Sequence, residues 1–481
     1  MRSLPRLLAA GARLFYRLDV SGRPPAAGPV LFVANHPNSL LDPALVSVAA
    51  GREVRFLAKH TLFDDPKVGW LVRAAGSVPV YRQQDGPAPA GANDAMFAAA
   101  RAVLAAGGAV GVFGEGVSHA DPAMRPLKTG PARLALGAAR ELGRAFPVVP
   151  VGLTLADSAT FRSAALVVVG EPVAWDDLAG RPDSDAEAVR ALTARADAAL
   201  RAVTANFDTW DDARLVAFAE AVHAAETAAD PTASGTEPTP ERLARWRAGA
   251  EAVRRFRGGP AGTGDPDAAA EADALARDLR AHRRLLGVLR MTPADLHERT
   301  DLGTAAWWAL RRVPLAAGAG LAAVGAALAW PAYRAVGVVA ARMPGAEATD
   351  VRATSKFLVG ALVFLLWTAA LAVGAGVVAG RAGGAGWGLV AAAATLVAAP
   401  ALALYTLRTA EGWDAARRDA RRFLRLRGRG EQVTELRARQ RGLAERVASV
   451  VTRAAAAVEP RPDHARPHAR GSPGRGAHPA G

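Results

Sequence analysis

Not one cysteine occurs in the 481 residues, so disulfide frameworks, thiolate nucleophiles and Cys-ligated zinc are excluded. Lysine is nearly as scarce: Lys59, Lys67, Lys128 and Lys356 are all there are, and Arg carries almost the whole net charge of +14. The nine His never fall in a His-Glu-x-x-His spacing, which speaks against a metal enzyme. The first residues lack an apolar core ended by a cleavage site, so no secretory leader is expected. Nor does an aromatic-basic motif accompany the positive charge, which argues against nucleic acid as a partner.

The charge that is present is unevenly placed. From Arg408 to the end there are 17 Arg against 8 Asp and Glu, so +9 of the surplus lies in the last 74 residues. Three uncharged runs precede this segment: Val313–Tyr333 of 21 residues, Phe357–Gly380 of 24 and Ala382–Leu407 of 26. Each is long enough for a hydrocarbon core that needs roughly 20 residues, so the basic tail is juxtamembrane and anionic lipid is its expected counter-charge. Ala, Gly, Pro314 and Pro331 make the first run the poorest span, and a dip or an interfacial placement is expected for it. The other two, separated by "GRAGG", predict a hairpin. With the Arg-rich segment kept on the cytoplasmic side, an even number of crossings puts the N-terminal domain there too.

At the other end, Leu4, Leu7, Leu8, Leu14, Phe15 and Leu18 share one helical arc and Arg2, Arg6, Arg13 and Arg17 the opposite one. Residues 1–22 are accordingly expected to form an interfacial amphipathic helix. From 23 to 230 short apolar runs alternate with helical stretches, predicting an α/β domain with a mixed sheet and flanking helices. "PVLFVAN", "EVRFLAK", "GSVPVYR", "AVGVFG", "PVVPVGLTL" and "ALVVVGEPV" are the expected strands, with helices over 40–50, 66–75, 93–107 and 129–144. Residues 184–227 continue as helix. Residues 231–310 form an Ala- and Arg-rich helical connector broken by Pro- and Gly-rich stretches, 311–408 the membrane region, and 409–481 a basic, partly disordered tail.

Polar groups interrupt successive strand ends of the α/β domain. In "FVANHPNSLLDP" the strand ends near Ala34, delivering His36 to the sheet's rim. His36 and Asp42 can meet only if His36 sits in the loop and the helix begins after it. A His held by a carboxylate suits a general base that deprotonates an alcohol. "AGSVPVYR" ends in Arg82, a bidentate phosphate reader by chemistry. "VFGEGVSH" sets Glu115 between two glycines with Ser118 beyond, and "VVPVGL" puts Pro150 in a strand, where Pro is confined to edges or bends.

In order and spacing, "NHPNSLLD", "GSVPVYR", "FGEGVSH" and "VPVGL" resemble the four motifs of the glycerolipid acyltransferases that make lysophosphatidic and phosphatidic acid. The resemblance covers roughly residues 1–230. It implies His36 and Asp42 as the catalytic pair, and Gly76, Arg82, Glu115, Gly116 and Ser118 on the glycerol phosphate side, where Lys128 is a further candidate cation. Pro150 is implied on the acyl-donor side. Five residues separate His36 and Asp42 where four are usual, and "FGEGV" replaces Phe-Pro-Glu-Gly-Thr. These departures look most like the branch that acylates glycerol 3-phosphate or dihydroxyacetone phosphate. Acylation of lysophosphatidic acid is the alternative reading, and a membrane-anchored scaffold with an inactive domain the non-enzymatic one. No cofactor is expected beyond an acyl thioester of CoA or acyl carrier protein as co-substrate. No metal is expected, and no Gly-x-Ser-x-Gly elbow offers a covalent route.

Overall fold

The computed structural model describes residues 4–66, 68–81, 89, 91–228, 237–257, 266–297, 301–342, 349–427 and 430–456. The α/β domain begins with α1 (Leu4–Phe15) and β1 (Arg17–Ser21) and continues through β2 (Val30–Ala34), α2 (Asp42–Ala50), β3 (Val54–Lys59), α3 (Thr61–Asp64), α4 (Gly69–Ala74) and β4 (Val78–Val80). Next come α5 (Ala92–Ala105), β5 (Ala109–Phe113), α6 (Gly130–Leu142), β6 (Val148–Leu155), β7 (Ala164–Val169) and α7 (Ala186–Ala202). The seven strands lie in the order β1-β7-β6-β2-β5-β3-β4, with every pairing parallel except β6–β7. All five residues of β2 are buried, because helices cover both faces of the sheet. One core packs α1 and α2 against one face, the other packs α5, α6 and α7 against the opposite face.

Six strands lie where the alternating apolar runs predict them; β1 does not. Residues 17–21 were expected to prolong the N-terminal helix, but Leu18 and Val20 instead take part in an edge strand, with Arg17 to Ser21 registered against Ala164 to Val168 of β7. A short segment with both helical and alternating readings follows whichever pairing buries more, and β7 supplies that pairing. The helix itself is docked on its own domain through Ala12 and Phe15, with Tyr16 buried just beyond its end, while Leu7 and Leu14 remain exposed.

The helix expected over 184–227 is two, α7 and α8 (Trp210–Thr227), which Thr209 caps by accepting from Asp212 N. Beyond it lie α9 (Pro240–Phe256) and α10 (Pro266–Leu289), and the breaks at 229–236 and 258–265 fall outside the described residues. Then come α11 (Leu302–Arg311), α12 (Val313–Ala317), α13 (Ala319–Ala341), α14 (Thr349–Gly383), α15 (Ala385–Leu426) and α16 (Gly430–Ala456). The helical connector expected over 231–310 and the basic tail expected from 409 contribute helices that pack together. Helices α8, α9, α10 and α16 share one core, built from Leu215, Val222, Phe256, Leu275, Leu279, Leu443, Val447 and Val450 among others. Of the tail, residues 428–429 and 457–481 lie outside the described part.

Helices α13, α14 and α15 are long and apolar enough to cross a membrane. Helices α14 and α15 form a hairpin that turns at Gly384 (φ +91°). A Cβ on Gly388 would come within 2.7 Å of the Gly376 carbonyl oxygen, so small residues set the close approach of the two helices.

Candidate active site

The site assembles at the rim where β2, β5 and β6 end. Ala34 pairs with Phe113 of β5 and Val151 of β6, and the chain leaves the sheet there. Asn35 prolongs the ladder with its side chain: Nδ2 donates to Leu153 O at 3.0 Å and Oδ1 accepts from Leu153 N at 2.7 Å. That fixes where the next residue points. His36 stacks on Phe113 with ring centroids 3.9 Å apart and planes 9° from parallel. Its Nδ1 donates to Asp42 Oδ2 at 2.8 Å, leaving Nε2 as the nitrogen that can accept a proton.

Asp42 reaches His36 because helix α2 starts at Asp42 itself, after a single 3₁₀ turn over Ser39–Leu41. Its Oδ2 also accepts from Asn38 N at 2.7 Å, while Oδ1 is buried with no hydrogen-bond partner. Burial pushes the Asp42 carboxyl up, against the downward pull of the His36 and Asn38 hydrogen bonds. Ser39 holds a left-handed backbone (φ 54°), an unusual conformation for a residue with a side chain, and its N–H donates to Ser118 Oγ at 3.0 Å.

Glu115 is buried and fully engaged. Oε1 accepts from His36 N at 3.1 Å, and Oε2 accepts from Arg125 N at 2.7 Å and from His119 Nε2 at 2.5 Å. It straps the His36 loop to the segment after β5. Gly116 (φ +74°) makes the turn, and its missing Cβ leaves room for the stem of Lys128, which is exposed and whose N donates to Gly114 O at 2.8 Å. Pro150 pairs with Val33 inside the sheet, not at an edge. It is tolerated because the β6–β7 ladder begins only at Val151; the Pro150 carbonyl there accepts from Gly170 N at 2.9 Å.

One of the sequence candidates stands apart from this cluster. Gly76 (φ +68°) lies at the foot of β4, where Gly76 N donates to Arg73 O and Ser77 N to Val72 O, the double bond that closes helix α4. Arg82 falls outside the described residues, although β4 carries the chain toward the same rim, with Val80 level with Lys59 of β3.

The sequence reading passed over several neighbours. Asn35, Asn38 and His119 stand inside the quoted motifs, so a signal existed for them. Tyr16 carried none. It is wholly buried; its hydroxyl accepts from Asn38 Nδ2 at 2.6 Å and donates to Ser158 O at 2.5 Å, and burial drives its pKa far up. The loop it reaches is also the dock of the hairpin. Lys356 Nζ donates to Ala159 O at 2.9 Å, Arg162 Nε to Glu411 Oε1 at 2.6 Å, and Phe357 packs on Phe15 and Gly11. Helix α14 touches the 3₁₀ turn Ser39–Leu41, so the His36 loop lies at the hairpin's base.

Among the described residues no group of three His, Asp or Glu is arranged to hold a metal. A surface groove of about 790 Å³ runs between Gly170–Ala174 and α7 and includes none of the rim residues.

The acyltransferase family's sequence pattern matches residues 17–154. Among curated relatives, glycerol-3-phosphate O-acyltransferase 2 of Saccharomyces cerevisiae is 36% identical over 119 residues, 24% of this chain and 16% of the relative. A chloroplastic 1-acyl-sn-glycerol-3-phosphate acyltransferase of Brassica napus is 30% identical over 142 residues, 29% of this chain and 38% of the relative. The chain thus spans well under half the length of these curated relatives. Among solved structures, the 1-acyl-sn-glycerophosphate acyltransferase of Thermotoga maritima aligns at 22% identity over 42% of this chain and 79% of its own, with a TM-score of 0.31. The match over 17–154 takes in His36, Asp42, Glu115 and Pro150, and on it residues 17–154 form an acyltransferase domain similar to those of the glycerolipid acyltransferases.

Proposed function

We propose that the protein moves a fatty acyl group from a thioester of CoA or acyl carrier protein to a hydroxyl of glycerol 3-phosphate or dihydroxyacetone phosphate. The observation that carries this reading is the 2.8 Å pair of His36 and a buried, backbone-anchored Asp42 at an open rim. His36 Nε2 takes the acceptor's hydroxyl proton as the oxygen attacks the thioester carbonyl. Collapse of the tetrahedral intermediate breaks the C–S bond, and the thiolate leaves with the proton from His36. No covalent acyl-enzyme is involved. Arg82 and Lys128 are the cations assigned to the acceptor phosphate. Ser118 already accepts from Ser39 N, which leaves its own O–H to donate. Glu115, with both oxygens occupied, acts on the loop and not on the acceptor.

Lysophosphatidic acid as acceptor is the second reading. It is supported by the contact of α14 with the 3₁₀ turn Ser39–Leu41, which brings the catalytic loop to the base of an apolar hairpin where a lipid acceptor would arrive. The domain is assigned to the cytoplasmic face, with anionic lipid around the hairpin's base.

The deciding experiment incubates membranes carrying the protein with labelled acyl-CoA and, separately, glycerol 3-phosphate, dihydroxyacetone phosphate and lysophosphatidic acid. A labelled product from one of the first two establishes the main reading, and labelled phosphatidic acid from the third establishes the second. No product from any acceptor, with acyl carrier protein thioester also tried, would leave only the scaffold.

A further inference from the structure

We propose that α13 does not cross the membrane but lies in the lipid–water boundary on the side of the α/β domain, across the base of the α14–α15 hairpin. Its partner is the headgroup and upper acyl layer of that leaflet. The proposal rests on the membrane reading of the hairpin and not on acyl transfer.

Both ends of α13 are held at the hairpin's base. At its entry, Tyr405 Oη donates to Gly318 O and Thr406 Oγ1 to Ala322 O, both at 3.3 Å, and Leu315 of α12 packs on Gly412. These α15 residues lie within two turns of Glu411, which is bonded to Arg162 of the α/β domain. Near its exit, Val336 approaches Gly360, one turn beyond Lys356, which is bonded to Ala159 of the same domain. Between them Trp367 Nε1 donates to Leu328 O at 2.8 Å. A helix of 23 residues is about 34 Å long. Laid alongside the hairpin, it would have to end near the far turn at Gly384. Instead its two ends meet the near ends of two different helices.

The chemistry of its middle agrees. Trp330, Tyr333 and Arg334 fall near the centre of α13, with Trp330 62% and Tyr333 64% exposed and the Arg334 guanidinium 5.8 Å from the Trp330 ring. In a crossing helix these groups would occupy the middle of the bilayer, where a cation is costly and aromatic amphiphiles are not favoured. Lying flat, they sit at headgroup depth, with Arg334 available to lipid phosphate. The preceding α11 repeats the pattern, with Trp307 58% exposed and Arg311 5.1 Å from its ring. Of the three apolar helices α13 is also the least hydropathic.

The cysteine-free chain permits single-cysteine probes. The full-length protein is reconstituted in vesicles of phosphatidylcholine and phosphatidylglycerol, with a fluorophore on a cysteine replacing Leu321, Leu328, Val339 or Leu366 in turn. All four residues are exposed. Quenching by nitroxides placed near the headgroup or near the bilayer centre then gives depth. The expected result is a common shallow depth of about 5–10 Å for the three α13 positions, with Leu366 deep. An impermeant thiol reagent should label R342C from the same side as D121C and from the opposite side to G384C. A depth that passes through the centre between Leu321 and Val339, with R342C labelled alongside G384C, would overturn the proposal, as would α13 probes that no lipid quenches while Leu366 remains deep. A shallow Leu366 would overturn the hairpin reading and this proposal with it.

Discussion

At the scale of single residues, the site is a case of burial working against stability in favour of geometry. Asp42 has a folded-state pKa raised by desolvation. A carboxyl whose pKa is raised on folding contributes fully below its unfolded value, and that contribution is lost as pH rises through the folded value. Above its folded value the buried charge of Asp42 is therefore a net cost. Asp42→Asn keeps the shape and removes the buried charge, so in detergent its melting temperature should equal or exceed that of the parent at pH 7, with the advantage shrinking toward pH 4. Its acyl transfer should fall, since the ring loses the partner that fixes its tautomer. His36→Ala should lose about 10²–10⁴ in rate, the usual worth of a general base. Near-full turnover by His36→Ala would remove the mechanism. Arg82→Lys keeps charge but not the planar fork, so saturation curves should show weaker binding of the acceptor and unaltered binding of the thioester.

Among elements, α16 is the one whose sequence signal went unused. Val433, Leu436, Gln440, Leu443, Val447, Val450 and Ala454 recur at alternating intervals of three and four, and all are buried. This is the heptad stripe of a packed helix, obscured by the Arg residues between its positions. Gln440 is the polar member, with Nε2 donating to Glu226 Oε1 at 2.8 Å and to Pro293 O at 3.2 Å. Leu443→Ala should cost about 2–5 kcal/mol in this bundle, the range for a buried Leu truncated in place. Hydrogen exchange is the measurement: protection should drop together in α8, α9, α10 and α16 and stay unchanged in β2 and β5. Loss confined to α16 would mean that the four helices do not form one cooperative unit.

For the molecule as a whole, the loop Ser158–Arg162 is where the apolar hairpin meets the α/β domain. It binds Tyr16, Lys356 and Glu411 and sets Phe161 edge-to-face against Phe15, which also meets Phe357. The Arg162–Glu411 pair is partly exposed, so Glu411→Ala should change stability by less than about 1 kcal/mol. Phe357→Ala removes apolar contact from the Phe15 and Gly11 seat and should cost more. Limited proteolysis at Arg162 checks the order: cleavage should quicken markedly for Phe357→Ala and little for Glu411→Ala. Equal protection in both variants would show that the hairpin is held elsewhere.

The sequence by itself determined the alternating α/β pattern, six of the seven strands, the apolar runs of the hairpin and the His36, Asp42 and Glu115 set. These are local properties: a buried parallel strand must be apolar throughout, and a site at strand ends interrupts such runs with polar residues. Only the tertiary structure decided the rest. Whether residues 17–21 continue a helix or join an edge depends on β7, a partner more than 140 residues away. Tyr16 became part of the site because Asn38 and Ser158 converge on its hydroxyl from distant loops. The two oxygens of Glu115 are taken by His36, His119 and Arg125, a count of partners that no spacing reveals. Hydrophobic length marked α13 as a possible span; which helix ends its own two ends touch is a property of the packed chain alone.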